Sequence, residues 1–165
     1  MKKLSNTFLF NWNVVYLTRG DRMKIFIASD HAGYELKEEV KNELMKSYEV
    51  VDLGTNSVTS VDYPNYAIPL GEQVVKENGK GILICGTGIG MSIACNKVKG
   101  IRCAKVDNIE EAKLTRLHNN ANVIALSSHT NYEDAIRYID TFLTTPFSME
   151  ERHQRRIHEI EEYER

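Results

Sequence analysis

Short apolar segments alternate with amphipathic segments along the chain from Met23 onward. Runs such as Lys24-Ile-Phe-Ile-Ala-Ser29 and Gly81-Ile-Leu-Ile-Cys85 are almost continuously apolar, which is typical of strands buried on both faces of a sheet. In the segments between such runs, apolar residues recur at helical spacing. The pattern predicts strands at 24–29, 48–53, 81–85, 101–106 and 122–126, and helices at 34–47, 67–76, 91–97, 108–118, 130–144 and from 148 onward.

Strands that alternate with helices predict an α/β fold, a doubly wound five-stranded parallel sheet with helices on both faces. Right-handed crossovers favour the flavodoxin-like strand order 2-1-3-4-5. In that order the winding reverses between strands one and three, and ligands bind beyond the carboxyl ends of strands at such a point. Those two strands are followed by Asp30-His31 and by the loop Gly86-Thr87-Gly88-Ile89-Gly90. We therefore expect the functional site there.

Residues 1–22 have a different character. Lys2 and Lys3 precede an interrupted apolar stretch from Phe8 to Leu17. This stretch is shorter than the roughly 20 residues that span a bilayer, and no small-residue cleavage site of a secretory signal follows it. We interpret 1–22 as an N-terminal extension that is disordered or loosely attached, or as a misassigned start with translation beginning at Met23. Residues 23–165 then form a single domain.

Composition narrows the class of protein. Hydrophobic residues make up 42% of the 165 and charged residues 27%, as in soluble globular domains. A net charge of -2, from 21 basic and 23 acidic residues, gives no electrostatic case for binding nucleic acid or an anionic membrane. Three cysteines do not indicate a disulfide framework, so a cytoplasmic location is expected.

The loop after the third strand can carry chemistry. Its glycines let amide N–H groups approach an anion, but it lacks the third glycine of a dinucleotide fingerprint and the lysine of a P-loop. A tight turn is the alternative. Cys85 precedes these amides, a setting that favours the thiolate. A thiolate there can take a proton next to a carbonyl while the amides hold the resulting enediolate. The alternative is inert packing, which we expect for Cys95 and Cys103.

Two histidines and an arginine pair have a structural and a functional interpretation. His118 either caps the end of a helix in solvent or acts in chemistry. His31 caps the first helix, or is oriented by the adjacent Asp30, which can also bind sugar hydroxyls. Arg152 and Arg156 are four residues apart, so they share a helix face that is either solvated or a phosphate clamp.

Together these motifs resemble ribose-5-phosphate isomerase type B, a family that also includes galactose-6-phosphate and allose-6-phosphate isomerases. The resemblance covers Met23 to about Ile160. It is carried by the segments Asp30-His31-Ala32-Gly33, Asp62-Tyr63-Pro64, 85–97, His118-Asn119 and 152–156.

The resemblance implies an aldose–ketose isomerase that interconverts D-ribose 5-phosphate and D-ribulose 5-phosphate through a cis-enediolate, without a metal or an organic cofactor. Cys85 would move the proton between C2 and C1 with help from Thr87, and His118 would open the furanose ring. His129 stands where some relatives carry an arginine that contacts the ligand. The implied substrate contacts are Asp30, His31, Tyr63, Gly86, Gly88, Ile89, Gly90, Asn119 and His129, and the implied phosphate contacts are Arg152 and Arg156.

The resemblance also implies an active site shared between two subunits. The protein would then be a homodimer at least, or a tetramer, with its C-terminal helix at the subunit interface. Two alternatives to a ribose 5-phosphate isomerase stay open: an isomerase of allose or galactose 6-phosphate, and a sugar-phosphate-binding module without turnover. The complete motif set favours ribose 5-phosphate. Cys85 argues against the module, because binding alone does not require a thiolate.

Overall fold

Strands and helices alternate along residues 23–165, the part of the chain that the computed structural model describes; the predicted extension 1–22 lies outside it. The strands are β1 Lys24–Ser29, β2 Glu49–Asp52, β3 Lys80–Cys85, β4 Cys103–Lys105 and β5 Val123–Ser127. The helices are α1 Tyr34–Leu44, α2 Pro64–Glu77, α3 Ile89–Cys95, α4 Ile109–Asn119, α5 Tyr132–Thr144 and α6 Glu151–Tyr163.

The five strands form one parallel sheet in the order β2-β1-β3-β5-β4. The predicted α/β class is confirmed, but the predicted order 2-1-3-4-5 is wrong for the last two strands. Residues 123–126 of β5 are fully buried, which requires a central position beside β3. The three residues of β4 are only half-buried, which suits the edge of the sheet. The exchange of β4 and β5 does not affect the reversal of winding between β1 and β3.

Side chains from the two faces of the sheet enter separate cores. Along β1, Ile25 and Ile27 pack under α1 and α5, whereas Phe26 and Ala28 point to the opposite face. That second core contains α2 and α3, and Cys85 belongs to it. Both cores end at the carboxyl edge of the sheet, where the strands give way to polar loops.

Local signals account for the starts of α4 and α2. Asn108 caps α4 by accepting the Glu111 amide at 2.9 Å, and the Glu111 carboxylate accepts the Asp107 amide at 2.7 Å. Helix α2 begins at Pro64, three residues before the predicted start at 67. Proline in the first turn loses no helical hydrogen bond, so Pro64 is the better start, and Pro69 is accommodated inside the helix.

Candidate active site

A crevice lies where the winding of the sheet reverses. Ser29 of β1 pairs with Ile84 of β3, so the loops that follow these two strands lie side by side. A methyl group built on Gly86 would meet only the Cβ of Ala32, at 3.9 Å, which leaves open space between the loops. This space is the position at which doubly wound sheets bind ligands.

Cys85 lies at the floor of this crevice and is only 4% exposed. Its Sγ accepts the amide N–H of Gly88 at 3.2 Å, which is the kind of hydrogen bond that a thiolate accepts best. Gly88 has φ 75°, and a side chain on it would lie 3.0 Å from the carbonyl carbon of Leu126. Only glycine satisfies both constraints, so the turn that presents its amide to the sulfur requires this residue.

Strand β5, the neighbour of β3 in the sheet, also shapes the glycine loop. The Ser127 hydroxyl donates to the Gly86 carbonyl at 2.8 Å, and the Ser128 amide donates to the Cys85 carbonyl at 2.8 Å. The Ser127 oxygen in turn accepts the His129 amide at 3.1 Å, which places the exposed His129 at the same edge. Ser127 therefore holds the glycine loop, a role not identified from the sequence, where it reads as the polar end of a strand.

Asp30 and His31 are held by backbone donors. Asp30 is buried, and its Oδ1 accepts the Gly33 amide at 3.1 Å at the start of α1. His31 Nδ1 accepts the amide of Val61 at 3.2 Å. A neutral imidazole that accepts at Nδ1 carries its proton on Nε2, so the free nitrogen of His31 is a donor.

Tyr63 covers the start of α3. A side chain on Gly90 would approach the Tyr63 Cζ to 2.8 Å, so glycine permits the ring to lie directly on the loop. The Tyr63 ring is 39% exposed and lines the mouth of the crevice. Thr87 is exposed at the same mouth, and its Oγ1 accepts the Ile89 amide at 3.3 Å.

His118 and Asn119 lie at the opposite edge of the sheet. Helix α4 runs back toward the start of β5, where Asn122 accepts the amide of Gly81 at 2.9 Å, at the amino end of β3. Cys85 pairs with Ser127 at the carboxyl end. The five residues of β5 rise about 13 Å between these edges. One protomer therefore does not bring His118 to its own Cys85.

Helix α6 belongs to the His118 edge. The segment just before α6 is held against α4 by the Ser148 amide, which donates to the Leu117 carbonyl at 3.1 Å. Arg152 and Arg156 are both exposed, one turn apart, and Arg152 pairs with Glu150 at 2.9 Å. The predicted site residues thus form two groups. The carboxyl-edge group comprises Asp30, His31, Tyr63, Cys85–Gly90 and His129, and the α4–α6 group comprises His118, Asn119, Arg152 and Arg156.

The α4–α6 group contains a second imidazole, to which the sequence analysis assigned no role. His153 is 5% exposed, and its ring stacks on that of His118 with centroids 4.3 Å apart and planes 15° apart. His153 lies four residues before the buried Ile157, so the two share the inward face of the helix. This spacing in the sequence could have indicated that His153 is buried.

The other two cysteines differ from Cys85. Cys95 is buried in the core between α2, α3 and the sheet, and Cys103 lies at the edge strand. A hydrogen bond with Cys95, together with burial, raises the pKa of Cys103 well above its usual value. A thiol that stays protonated has no nucleophilic or basic role at neutral pH, so this arrangement agrees with core packing.

Within residues 23–165, no group of three or more His, Cys, Asp or Glu side chains is arranged to hold a metal ion. Across the same residues, every helix is too short or too polar to cross a bilayer.

Comparison with known proteins identifies the family. The model of the family described as Ribose/Galactose Isomerase matches residues 25–160. Ribose-5-phosphate isomerase B of Mycobacterium leprae is 42% identical over 148 residues, which are 87% of this chain and 91% of that protein. The chain therefore belongs to the ribose/galactose isomerase family, and the predicted resemblance to type B ribose-5-phosphate isomerases is confirmed.

Solved structures agree in fold and in sequence. Ribose-5-phosphate isomerase B of Clostridium thermocellum superposes with a TM-score of 0.83 at 45% identity, covering 86% of this chain and 97% of that one. The Mycoplasma genitalium enzyme with bound ribulose-5-phosphate has a TM-score of 0.82 at 45% identity, covering 86% of this chain and 96% of that one. The predicted enzyme class, an isomerase, is the class of these relatives.

Proposed function

We propose that this chain interconverts D-ribose 5-phosphate and D-ribulose 5-phosphate through a cis-enediolate. The observation that carries the proposal is the close relationship, along nearly the whole domain, to an isomerase structure that holds ribulose-5-phosphate. The chemistry-bearing residues expected for this reaction are present, and the crevice beside Gly86 has room for a ligand next to Cys85.

Cys85 is the base in the proposed reaction. Its thiolate takes the proton from C2 of the open-chain aldose, the C–H electrons form the C1=C2 bond, and the C1 oxygen takes up the charge. The thiol then returns the proton to C1 while the C2 hydroxyl passes its proton to the adjacent C1 oxygen, so that C2 becomes the carbonyl and C1 carries the new hydroxyl. Amides of Gly86–Gly90 hold the enediolate, because preorganised donors stabilise charge where it develops. Thr87, at the mouth of the loop, assists the transfer.

His118 opens the sugar ring in this scheme. It protonates the ring oxygen as the C1–O4 bond breaks, and the C1 hydroxyl passes its proton to water as the aldehyde forms. Asp30, His31, Tyr63, Asn119 and His129 contact the sugar. Arg152 and Arg156 bind the phosphate, because two guanidinium groups on one helix face suit an oxyanion. No resident metal or cofactor is part of this scheme.

The site is completed by a second copy of the chain. Cys85 and His118 lie at opposite edges of one protomer, so a single site needs the crevice of one copy and the α4–α6 group of another. Ile89 and Ile93 of α3 are 52% and 56% exposed beside the glycine loop, a patch that a second copy would cover. We therefore propose a homodimer with two shared sites, located in the cytoplasm.

Kinetics with three sugar phosphates test the function. We expect turnover of ribose 5-phosphate to exceed turnover of allose 6-phosphate and galactose 6-phosphate, measured by formation of the ketose phosphate. Discrimination by one carbon is worth only about 1–3 kcal/mol in an apolar pocket, so the comparison uses kcat/KM. A higher kcat/KM for a hexose phosphate would replace the substrate assignment. Binding of all three sugars without turnover would indicate a binding module instead.

A further inference from the structure

His153 is a buried imidazole with an unsatisfied nitrogen. Its Nε2 is inaccessible to solvent and has no hydrogen-bond partner among the described residues. The nearest opposite charge is a Glu150 carboxylate oxygen at 3.8 Å, beyond hydrogen-bonding distance. Burying a polar atom without a hydrogen-bond partner is destabilising, so the surrounding structure holds this ring against a penalty.

The position of His153 is set by the start of α6. Its amide donates to the Glu150 carbonyl at 2.9 Å in the first turn of the helix. Met149, just before that turn, has φ 58°, a left-handed conformation that is uncommon for a residue with a side chain. This turn directs the His153 ring against His118, the last aromatic side chain of α4.

The stack determines which of the two rings can carry a charge. Burial, followed by the proximity of His118, Arg152 and Arg156, lowers the pKa of His153, and Glu150 opposes this only in part. His153 is therefore neutral at neutral pH. A neutral aromatic face at 4.3 Å can stabilise an imidazolium above it, whereas two charged rings at that distance would repel each other.

We propose that His153 is a positioning residue for ring opening: its neutral ring fixes the orientation of His118 by stacking and leaves His118 as the ring that carries the transferred proton. This inference rests on the proposed ring-opening role of His118. It predicts that the aromatic face of His153 matters and that its ring nitrogens do not.

Three variants on α6 separate these contributions. His153→Phe keeps an aromatic face and removes the orphan nitrogen, whereas His153→Ala removes the stack. The matched control is His158→Ala, because His158 is exposed on the same helix and its Nε2 lies 3.3 Å from the Glu162 carboxylate rather than against His118. His118→Asn defines the effect of losing the ring-opening group itself.

Two assays distinguish ring opening from proton transfer. Isomerisation of ribose 5-phosphate requires a furanose to open. Exchange of the C1 hydrogen of ribulose 5-phosphate with D2O, followed by NMR, requires only enediolate formation, because this ketose has no free 5-hydroxyl with which to form a furanose. Retained exchange also shows that a variant is folded and binds substrate.

We expect His153→Ala to lose about ten- to a hundredfold in isomerisation, the cost of a misplaced catalytic group, with C1 exchange within about threefold of wild type. His153→Phe should keep isomerisation within about threefold of wild type, and His158→Ala should match wild type in both assays. Equal losses in the Ala and Phe variants, loss of both activities together, or no loss in His153→Ala would overturn the inference. If His118→Asn isomerises ribose 5-phosphate normally, the ring-opening assignment itself fails, and the role of His153 fails with it.

Discussion

The division of the site between two protomers can be tested by combining two inactive variants. Cys85→Ala removes the proposed base at the carboxyl edge, and His118→Asn removes the proposed ring-opening group at the other edge. Each substitution removes a general acid–base group, so each homodimer should lose about 10²–10⁴ in turnover of ribose 5-phosphate. A heterodimer of the two variants places both substitutions in one shared site and leaves the other site intact.

The expected recovery follows from the geometry. Within one protomer the two residues are separated by about the 13 Å rise of a five-residue strand, so they serve different sites. A twofold dimer has two equivalent sites. The purified heterodimer should therefore show about half of the wild-type turnover per dimer, roughly 50- to 5,000-fold above either parent. Sites built within single protomers would each carry one substitution, and no recovery would occur.

The assay uses two affinity tags, one on each variant, and tandem purification after coexpression. Formation of ribulose 5-phosphate is followed for the heterodimer and for both homodimers at equal concentration. The matched control pairs Cys85→Ala with the double variant Cys85→Ala/His118→Asn, in which every site lacks the thiol and no recovery is expected. A heterodimer as inactive as its parents would refute the shared site.

Three other measurements address single residues. Cys85→Ala should abolish hydrogen exchange at C2 while retaining ligand binding by calorimetry; near-wild-type turnover would exclude Cys85 as the base. In that inactive background, Arg152→Ala should weaken ribose 5-phosphate binding by roughly 1.5–3 kcal/mol, whereas Arg155→Ala should not; equal effects would exclude a specific clamp. Burial and two nearby arginines lower the pKa of Lys80 in the folded protein to about 8, from 10.5 in the unfolded chain. The charge of Lys80 therefore destabilises the fold in full below pH 8, and this destabilisation shrinks as the pH rises from 8 to 10.5. Lys80→Gln should therefore raise the free energy of unfolding at pH 7 by on the order of 1–2 kcal/mol, a figure reduced for solvent screening, with a gain that shrinks toward pH 10. Urea titrations at both pH values check this, with exposed Lys76→Gln as the control, and a pH-independent gain would contradict it.

Local patterns in the sequence were sufficient to predict the strands and helices and the position of the crevice. The strand at 24–29 was predicted with its observed bounds, because a buried strand must be apolar on both faces. The helix predicted at 108–118 matches α4 to within one residue at each end, because helix periodicity and capping depend on neighbouring residues alone. Cys85 and its glycine loop were placed beside Asp30 because the winding rule depends only on the order of elements.

Tertiary structure decided what depends on contacts distant along the chain. The order of β4 and β5 depends on which strand gains more from burial beside β3. The charged Arg102 and Lys105 interrupt the first of these two segments, which is a sign of an edge strand, but the winding rule was followed instead. The stacking of His153 on His118 joins two helices that are separated in sequence by α5 and β5. The separation of Cys85 from His118 by the height of the sheet follows from the direction in which α4 runs. Residue types and spacing thus indicated the candidate chemistry. Packing determined that Cys85 and His118 lie at opposite edges of one protomer, because a helix that returns from a parallel strand ends at the edge where the next strand begins.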